Sequence, residues 1–432
     1  MPYAKGDSQQ FSNKGVFMTS DLLATKAKTI LRKTGGVAAI AILLAAAIPE
    51  ISSADSAMPT NFHAWNTYSQ WRSGDFDGGA SLGWHDGRPA LTLKRNATEG
   101  SWTSRAYNPH VPIAKLVSSW QADASNGAWI ETDLSVQVNS AWSNWYDMGQ
   151  WAFDNAAINR TSVSHQVDSN GSISQDTYYD NTTPATQYKL REVLHGTATA
   201  KPTVRQVAAT ASNPTTVNNT ASATTMTQTI NLPVPGLSQY AHDGEYPQFD
   251  GGGEAWCSPT SVAMVLRYYN AGPTAAQIAS LPADPVFDAN HRVDGDVDYA
   301  AYHTFDYNAD QLNTGDWPFN TAYAAGFGLK TSVRQYNSLQ GIEQWIKKGV
   351  PVVVSISWDN TDTNPNNDLN SAPIPNTAGH LMVVRGFTND GLVIANDPSG
   401  QSDPAVQRIY ERAQFERDWL NHSDGTVYII KR

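Results

Sequence analysis

Residues 210–228, "TASNPTTVNNTASATTMTQ", are small and polar and carry no apolar period, so they offer nothing with which to build a core. The stretch reads as a linker, and it divides the 432-residue chain into two parts of different texture. At this length two domains and a leader are the natural expectation. The division falls at residues 55–209 before the linker and 229–432 after it.

From about Asn61 to Ala209 the pattern is strand-like and rich in tryptophan, holding nine of the 14 Trp. In "WIETDLSVQV", Ile130, Thr132, Leu134, Val136 and Val138 share one face of a strand, and Glu131, Asp133, Ser135 and Gln137 share the other. Asn170-Gly171 stands between two alternating runs and signals a hairpin. With little helical periodicity anywhere, these residues predict a β-sandwich-like domain. Tryptophan fills such cores, so core packing is the expected role for most of the nine. A few exposed rings would suit a carbohydrate or cell-wall contact.

After the linker the texture is mixed. "SPTSVAMVLRYYN" puts Val262, Val265, Leu266 and Tyr269 at i, i+3, i+4 and i+7, an amphipathic helix stopped by Asn270-Ala271-Gly272-Pro273. Thr274 caps a short second helix. "WPFNTAYAAGFGL" and "SLQGIEQWIKKG" read as helices ending at glycine. Residues 350–358, 380–388, 391–397 and 426–430 read as strands. One early helix followed by a run of strands predicts an α+β domain.

Residues 1–54 place Lys26, Lys28, Arg32 and Lys33 before a dozen apolar residues, Val37 to Ile48, and then "SSADSA". That run suits a signal-peptide core and falls short of the roughly 20 residues a membrane span needs. Export is therefore expected, to the outside or the cell surface, with no membrane span after signal removal. The leader carries +3 of a total formal charge of −11, leaving −14 on the remainder. An acidic mature chain has no electrostatic footprint for nucleic acid.

There is one cysteine, Cys257. This excludes an intramolecular disulfide framework and any multi-cysteine zinc site, and no HExxH is present. No cofactor is expected. The acidic stretch "DANHRVDGDVD", 288–298, has a calcium-loop flavour without the glycine and terminal glutamate of an EF-hand, and reads as a solvated loop.

Cys257 stands at the opening of the first helix of the second part, where unpaired N–H groups and the helix dipole favour a thiolate. A lone thiol is more often a small buried hydrophobe, so position alone leaves both roles open. His380 opens a strand after a long polar loop. Asp397 ends the next strand before Pro398. A hairpin turning at Asn389-Asp390-Gly391 brings those two side chains near one another. A carboxylate there accepts from one ring nitrogen and leaves the other for the thiol. A one-residue slip would substitute Asn396 as the orienting group.

The helix-opening "CSPTSVAMVLRYY", the later "GHLMVVRGF" and then "VIANDP" resemble cysteine peptidase family thirty-nine, the double-glycine-leader peptidases and their secreted relatives. The resemblance covers residues 229–432 and implies a papain-like fold. It implies Cys257 as nucleophile, His380 as base and Asp397 as third member, with Gln239 of "VPGLSQ" as oxyanion donor and Gln248 as a competing candidate. It departs from the leader peptidases in lacking a fused exporter and in having Ser258 where many members have glycine. A secreted thiol hydrolase acting on peptide or isopeptide bonds of a peptide or protein substrate is the implied function. The alternatives are an acyl or peptidyl transferase with the same residues, and a surface binding protein with an inactive peptidase-like domain.

Overall fold

The computed structural model describes residues 60–214, 221–287 and 294–432. The signal-peptide reading of 1–54, the middle of the polar stretch and the first half of the acidic stretch lie outside the described residues. No helix among the described residues is long and apolar enough to cross a membrane.

The N-terminal part is two antiparallel sheets. One has seven strands, ordered Gly171–Ser174, Thr177–Asp180, Lys115–Asp123, Thr203–Ser212, Arg88–Leu93, Ala80–His85, with Thr60–Trp65 also pairing along Thr203–Ser212. The other has six, ordered Asp75–Gly78, Glu99–Thr103, Gln187–His195, Trp129–Val138, Ala141–Trp142, with Tyr146–Trp151 added on Trp129–Val138. Ile130, Leu134 and Val136 point into the core beside Leu190 and Leu194 of the paired strand. Trp65 of the first sheet meets Trp102 and Tyr188 of the second edge-on, at 6.2 and 6.0 Å. Five of the nine tryptophans (Trp65, Trp71, Trp102, Trp120 and Trp151) are buried, whereas Trp84 is 68% exposed beside Tyr68.

Asn170-Gly171 does reverse the chain, with the Asp168 side chain accepting from both amides. Only Val167 and Ser172 bridge across that turn, however. The tight connection between paired strands comes next, at Gln175-Asp176, joining Gly171–Ser174 to Thr177–Asp180. Gln175 takes the left-handed backbone at φ 53° to make it.

The C-terminal part is a seven-stranded antiparallel sheet ordered Lys330–Gln335, Thr426–Lys431, Val352–Asp359, Asn376–Phe387, Val393–Asn396, Gln407–Tyr410, with Ile230–Asn231 pairing on Asn376–Phe387. The central strand "VVVSISWD" is buried almost throughout, as a strand covered on both faces must be. Helix Cys257–Tyr268 packs on Asn376–Phe387, and Trp317–Ala325 packs on the N-terminal strand Lys115–Asp123. Helices Gly295–Thr304 and Arg412–Ser423 complete the layers.

The two parts are joined by buried polar bonds. Gln121 and Gln206 both donate to the carbonyl of Thr331, at 2.9 and 3.0 Å, and Thr210 donates to that of Val333. Arg160, fully buried, donates to carbonyls of Ala152 and Phe153 on one side and of Tyr302 and Phe305 on the other. The polar stretch takes part too. Strand Thr203–Ser212 continues three residues into it, and Ser222, Thr224 and Thr225 hydrogen-bond the carboxylates of Glu416 and Glu343. Its hydroxyls and amides satisfy buried acids, a form of docking that needs no apolar side chains.

Candidate active site

Cys257 is the first residue of its helix, held by the packing of the residues around it. Trp256 before it is fully buried and donates its indole N–H to the Phe249 carbonyl at 2.7 Å; Ser258 after it meets the Tyr428 hydroxyl at 3.0 Å. As the opening residue, Cys257 has an amide with no acceptor inside the helix. The residue is 8% exposed, at a cleft of about 440 Å³ that is also lined by His380.

His380 lies in strand Asn376–Phe387, opposite Ile356 of the buried central strand. Strand alternation decides which neighbour orients it. Val383 stands directly opposite Asn396, so those two side chains share a face. Asp397 therefore takes the opposite face, the one that Met382 and His380 occupy. Asn396 accordingly points away: its amide donates to the carbonyls of Val234 and Pro235 and its oxygen accepts from Arg385. The His380 Nε2 donates to Asp397 Oδ1 at 2.8 Å. That leaves the other ring nitrogen for the sulfur, and His380 and Cys257 line the same cleft. Trp358 stands edge-on to the imidazole at 5.3 Å.

Burial alone would push Asp397 up. The charge of His380 and hydrogen bonds from His380, the Ser399 hydroxyl and Tyr410 outweigh it, and the carboxyl sits below the usual range. The Ser399 amide adds a donor at 2.9 Å and the Tyr410 hydroxyl reaches Oδ2 at 2.7 Å. Burial alone would likewise lower His380, but the Asp397 charge and hydrogen bond, helped by Cys257, raise it to about 10. The ring is thus held as an imidazolium beside the thiol.

Gln239 is 1% exposed in the turn Gln239–His242, which packs against Gly253–Ala255, the turn leading into Cys257. Its backbone amide donates to Pro398, next to Asp397, and its side-chain oxygen is buried without a hydrogen bond. Gln248 is exposed on a separate turn, Pro247–Phe249. The structure therefore gathers Cys257, His380 and Asp397, sets Gln239 on the turn beside them, and leaves Asn396 and Gln248 out.

Several site residues escape sequence reasoning. Ser399, two residues past Asp397, carried a signal, since a hydroxyl at that spacing commonly closes a local turn on an aspartate. Tyr410 carried none, because it arrives through sheet order. His422 lines the cleft against Gly379, and burial lowers it to about 4, so it stands there as a neutral ring.

A second polar cluster lies near the first. His242 Nδ1 is 2.7 Å from Glu245 and 3.0 Å from Asp298, all three buried. Burial opposes the charge on His242, but the two carboxylates raise it to about 9. Their ligand-type atoms lie within 4.8 Å of one another, a spacing that could also hold a metal ion. The acidic stretch divides its side chains: Asp294 and Asp296 pair with Arg267 at 2.6 and 2.5 Å, whereas Asp298 turns inward to His242. The described acids of that stretch thus meet cations of the protein instead of standing solvated.

Comparison with known proteins gives the class first. Residues 231–427 match the Peptidase C39 like family, a cysteine peptidase family, and residues 61–212 match the Peptidase C39 N-terminal domain. The chain belongs to the C39-like peptidase family. Among solved structures, a Bacillus anthracis protein called a C39-like peptidase aligns at 17% identity and TM-score 0.31, covering 48% of this chain and 98% of that one. A Clostridium thermocellum xylanase structure comprising CBM22-1 and GH10 modules with xylohexaose aligns at 10% identity and TM-score 0.23, covering 46% of this chain and 35% of that one. No curated protein sequence matches.

Proposed function

We propose that the protein is a secreted thiol hydrolase of papain-like fold that cleaves peptide or isopeptide bonds through Cys257, His380 and Asp397. The observation that carries this reading is the buried His380–Asp397 pair at 2.8 Å, whose ring lines the same open cleft as the thiol. A histidine serving only the core would have no need of a raised charge state or of a place beside the lone thiol's cleft.

In this mechanism the Cys257 thiolate attacks the scissile carbonyl carbon and forms a C–S bond. The oxyanion is received by the Cys257 backbone N–H and the Gln239 amide, a donor of a kind worth about 2.7–4 kcal/mol. His380 gives its proton to the amide nitrogen, the C–N bond breaks and the amine leaves. Water then attacks the thioester and passes a proton to His380. The C–S bond breaks, releasing the acid and restoring the ion pair. Asp397 fixes the ring throughout and stays ionised.

Alkylation tests the reading directly. Iodoacetamide at neutral pH should add one group per chain, on Cys257, and His380→Ala should slow this by about a hundredfold, the low end of what a positioned acid–base group supplies. Equal, slow labelling of both proteins would leave Cys257 as an ordinary core residue and the domain as an inactive one.

A further inference from the structure

The cleft holding the thiol is built from both halves of the chain. Its lining includes Gln175, Asp176 and Tyr179 of the N-terminal hairpin as well as Cys257, His380 and His422. The hairpin tip is bolted in place. Gln175 Nε2 donates to Asn313 Oδ1 at 3.2 Å, and Asp176 Oδ2 accepts the backbone N–H of Trp317 at 2.9 Å. Trp317 opens the helix Trp317–Ala325, so this carboxylate sits at a positive helix end.

Apart from the His380 imidazolium, which Asp397 balances, the charge of the lining is acidic. It contains Asp176 and Glu254 and neither lysine nor arginine. Among the described residues neither carboxylate has a salt-bridge partner at 4 Å or less. Glu254 is exposed three residues before the nucleophile. Asp176 spends one oxygen on Trp317 and the other on the Thr177 hydroxyl, and each carboxylate oxygen retains a second acceptor site. Burial raises Asp176 to about 6, which leaves it charged at neutral pH, whereas burial pushes Asp316 behind it well above its ordinary value and toward its neutral form. Walls of one sign around a low-dielectric cleft concentrate the opposite charge inside it.

We propose that the N-terminal hairpin is the second wall of the substrate site, and that this wall with Glu254 selects peptides carrying a lysine or arginine side chain next to the scissile bond. The inference rests on the reading of Cys257 as nucleophile for its location, but its test does not depend on turnover. On that reading the scissile carbonyl lies at the sulfur, so a neighbouring residue's side chain falls within reach of Asp176 or Glu254.

The experiment uses the Cys257→Ala form of the full chain, which binds without cleaving, and three blocked pentapeptides that differ only in a central lysine, norleucine or glutamate. Calorimetry should find the lysine peptide about tenfold tighter than the norleucine one, the size of one partly buried charge contact. Glu254→Gln, an exposed carboxylate, should erase about threefold of that preference. Asp176→Asn, which keeps the acceptor for Trp317, should erase most of the rest. Gln175→Trp, which fills the cleft from the hairpin side, should weaken all three peptides together. Equal binding of the three peptides, or a lysine preference indifferent to all three substitutions, overturns the proposal. Alkylation of Cys257 that ignores His380 would instead defeat the catalytic reading, and the binding comparison would still decide this one.

Discussion

On the proposed mechanism Asp397 is the residue on which the chemistry turns, because its charge and hydrogen bond are the largest of the effects that keep a buried imidazole protonated. His380 has a native pKa near 10, above the ordinary 6.5. Such a group contributes stability that is fully present below about 6.5 and is lost as pH rises through about 10. On the proposed mechanism the same loss removes the proton needed by the leaving amine, so kcat/KM should fall as pH rises through about 10. Asp397→Asn keeps the shape and deletes the charge. Burial then acts on His380 with little opposition, and the alkaline limb should move down by more than one pH unit, while kcat falls by about 10⁴ as in comparable triads. A pH–rate profile of the two proteins checks the sign, and a limb that stays near 10 would show that Asp397 does not govern the ring.

At the scale of elements, the site is placed by strand pairing and by one glycine. Gly386 lies where strand Asn376–Phe387 meets Ile230–Asn231, and a Cβ there would come 2.0 Å from the Ile230 carbonyl oxygen. Gly386→Ala should therefore push that strand off and cost about 1–3 kcal/mol, as overpacking does. The carbonyls of Val234 and Pro235, which hold Asn396, lie a few residues further on, and so does Gln239. Thermal unfolding together with the alkylation rate would show both effects; an unchanged melting temperature would refute the close approach.

The same elements explain what could be read from the chain. The helix at Cys257 and the strands at 352–359, 376–387 and 393–396 carry local signals: a period, a stop at Asn270-Ala271-Gly272-Pro273, a short turn at Asn389-Asp390-Gly391. The face of Asp397 follows from strand alternation once that turn is known. Helix Gly295–Thr304 left no clear period because it buries Asp298, His303 and Thr304 among its apolar residues. Tyr410 and the hairpin tip reach the site through sheet order and domain packing, and long-range pairing writes nothing local into the sequence.

For the whole molecule, the consequence of the buried polar junction is cooperative unfolding. Arg160 ties residues 152–155 to 302–305 with no exposure, and its loss strands several carbonyls. Arg160→Met should destabilise the folded chain by about 3 kcal/mol or more, at roughly one per lost bond. Calorimetry of the unaltered chain should give one transition covering both parts. Two separate transitions would mean that the N-terminal half is only loosely attached.

If the only sulfhydryl of these 432 residues is also the working atom, as proposed, it has no internal partner to rescue it. Once peroxide has converted Cys257 to a sulfenic acid, no resolving thiol of the same molecule can trap that state as a disulfide. Recovery then depends on small thiols small enough to enter the cleft, and the surroundings of the protein, more than its own fold, would set how long it keeps working.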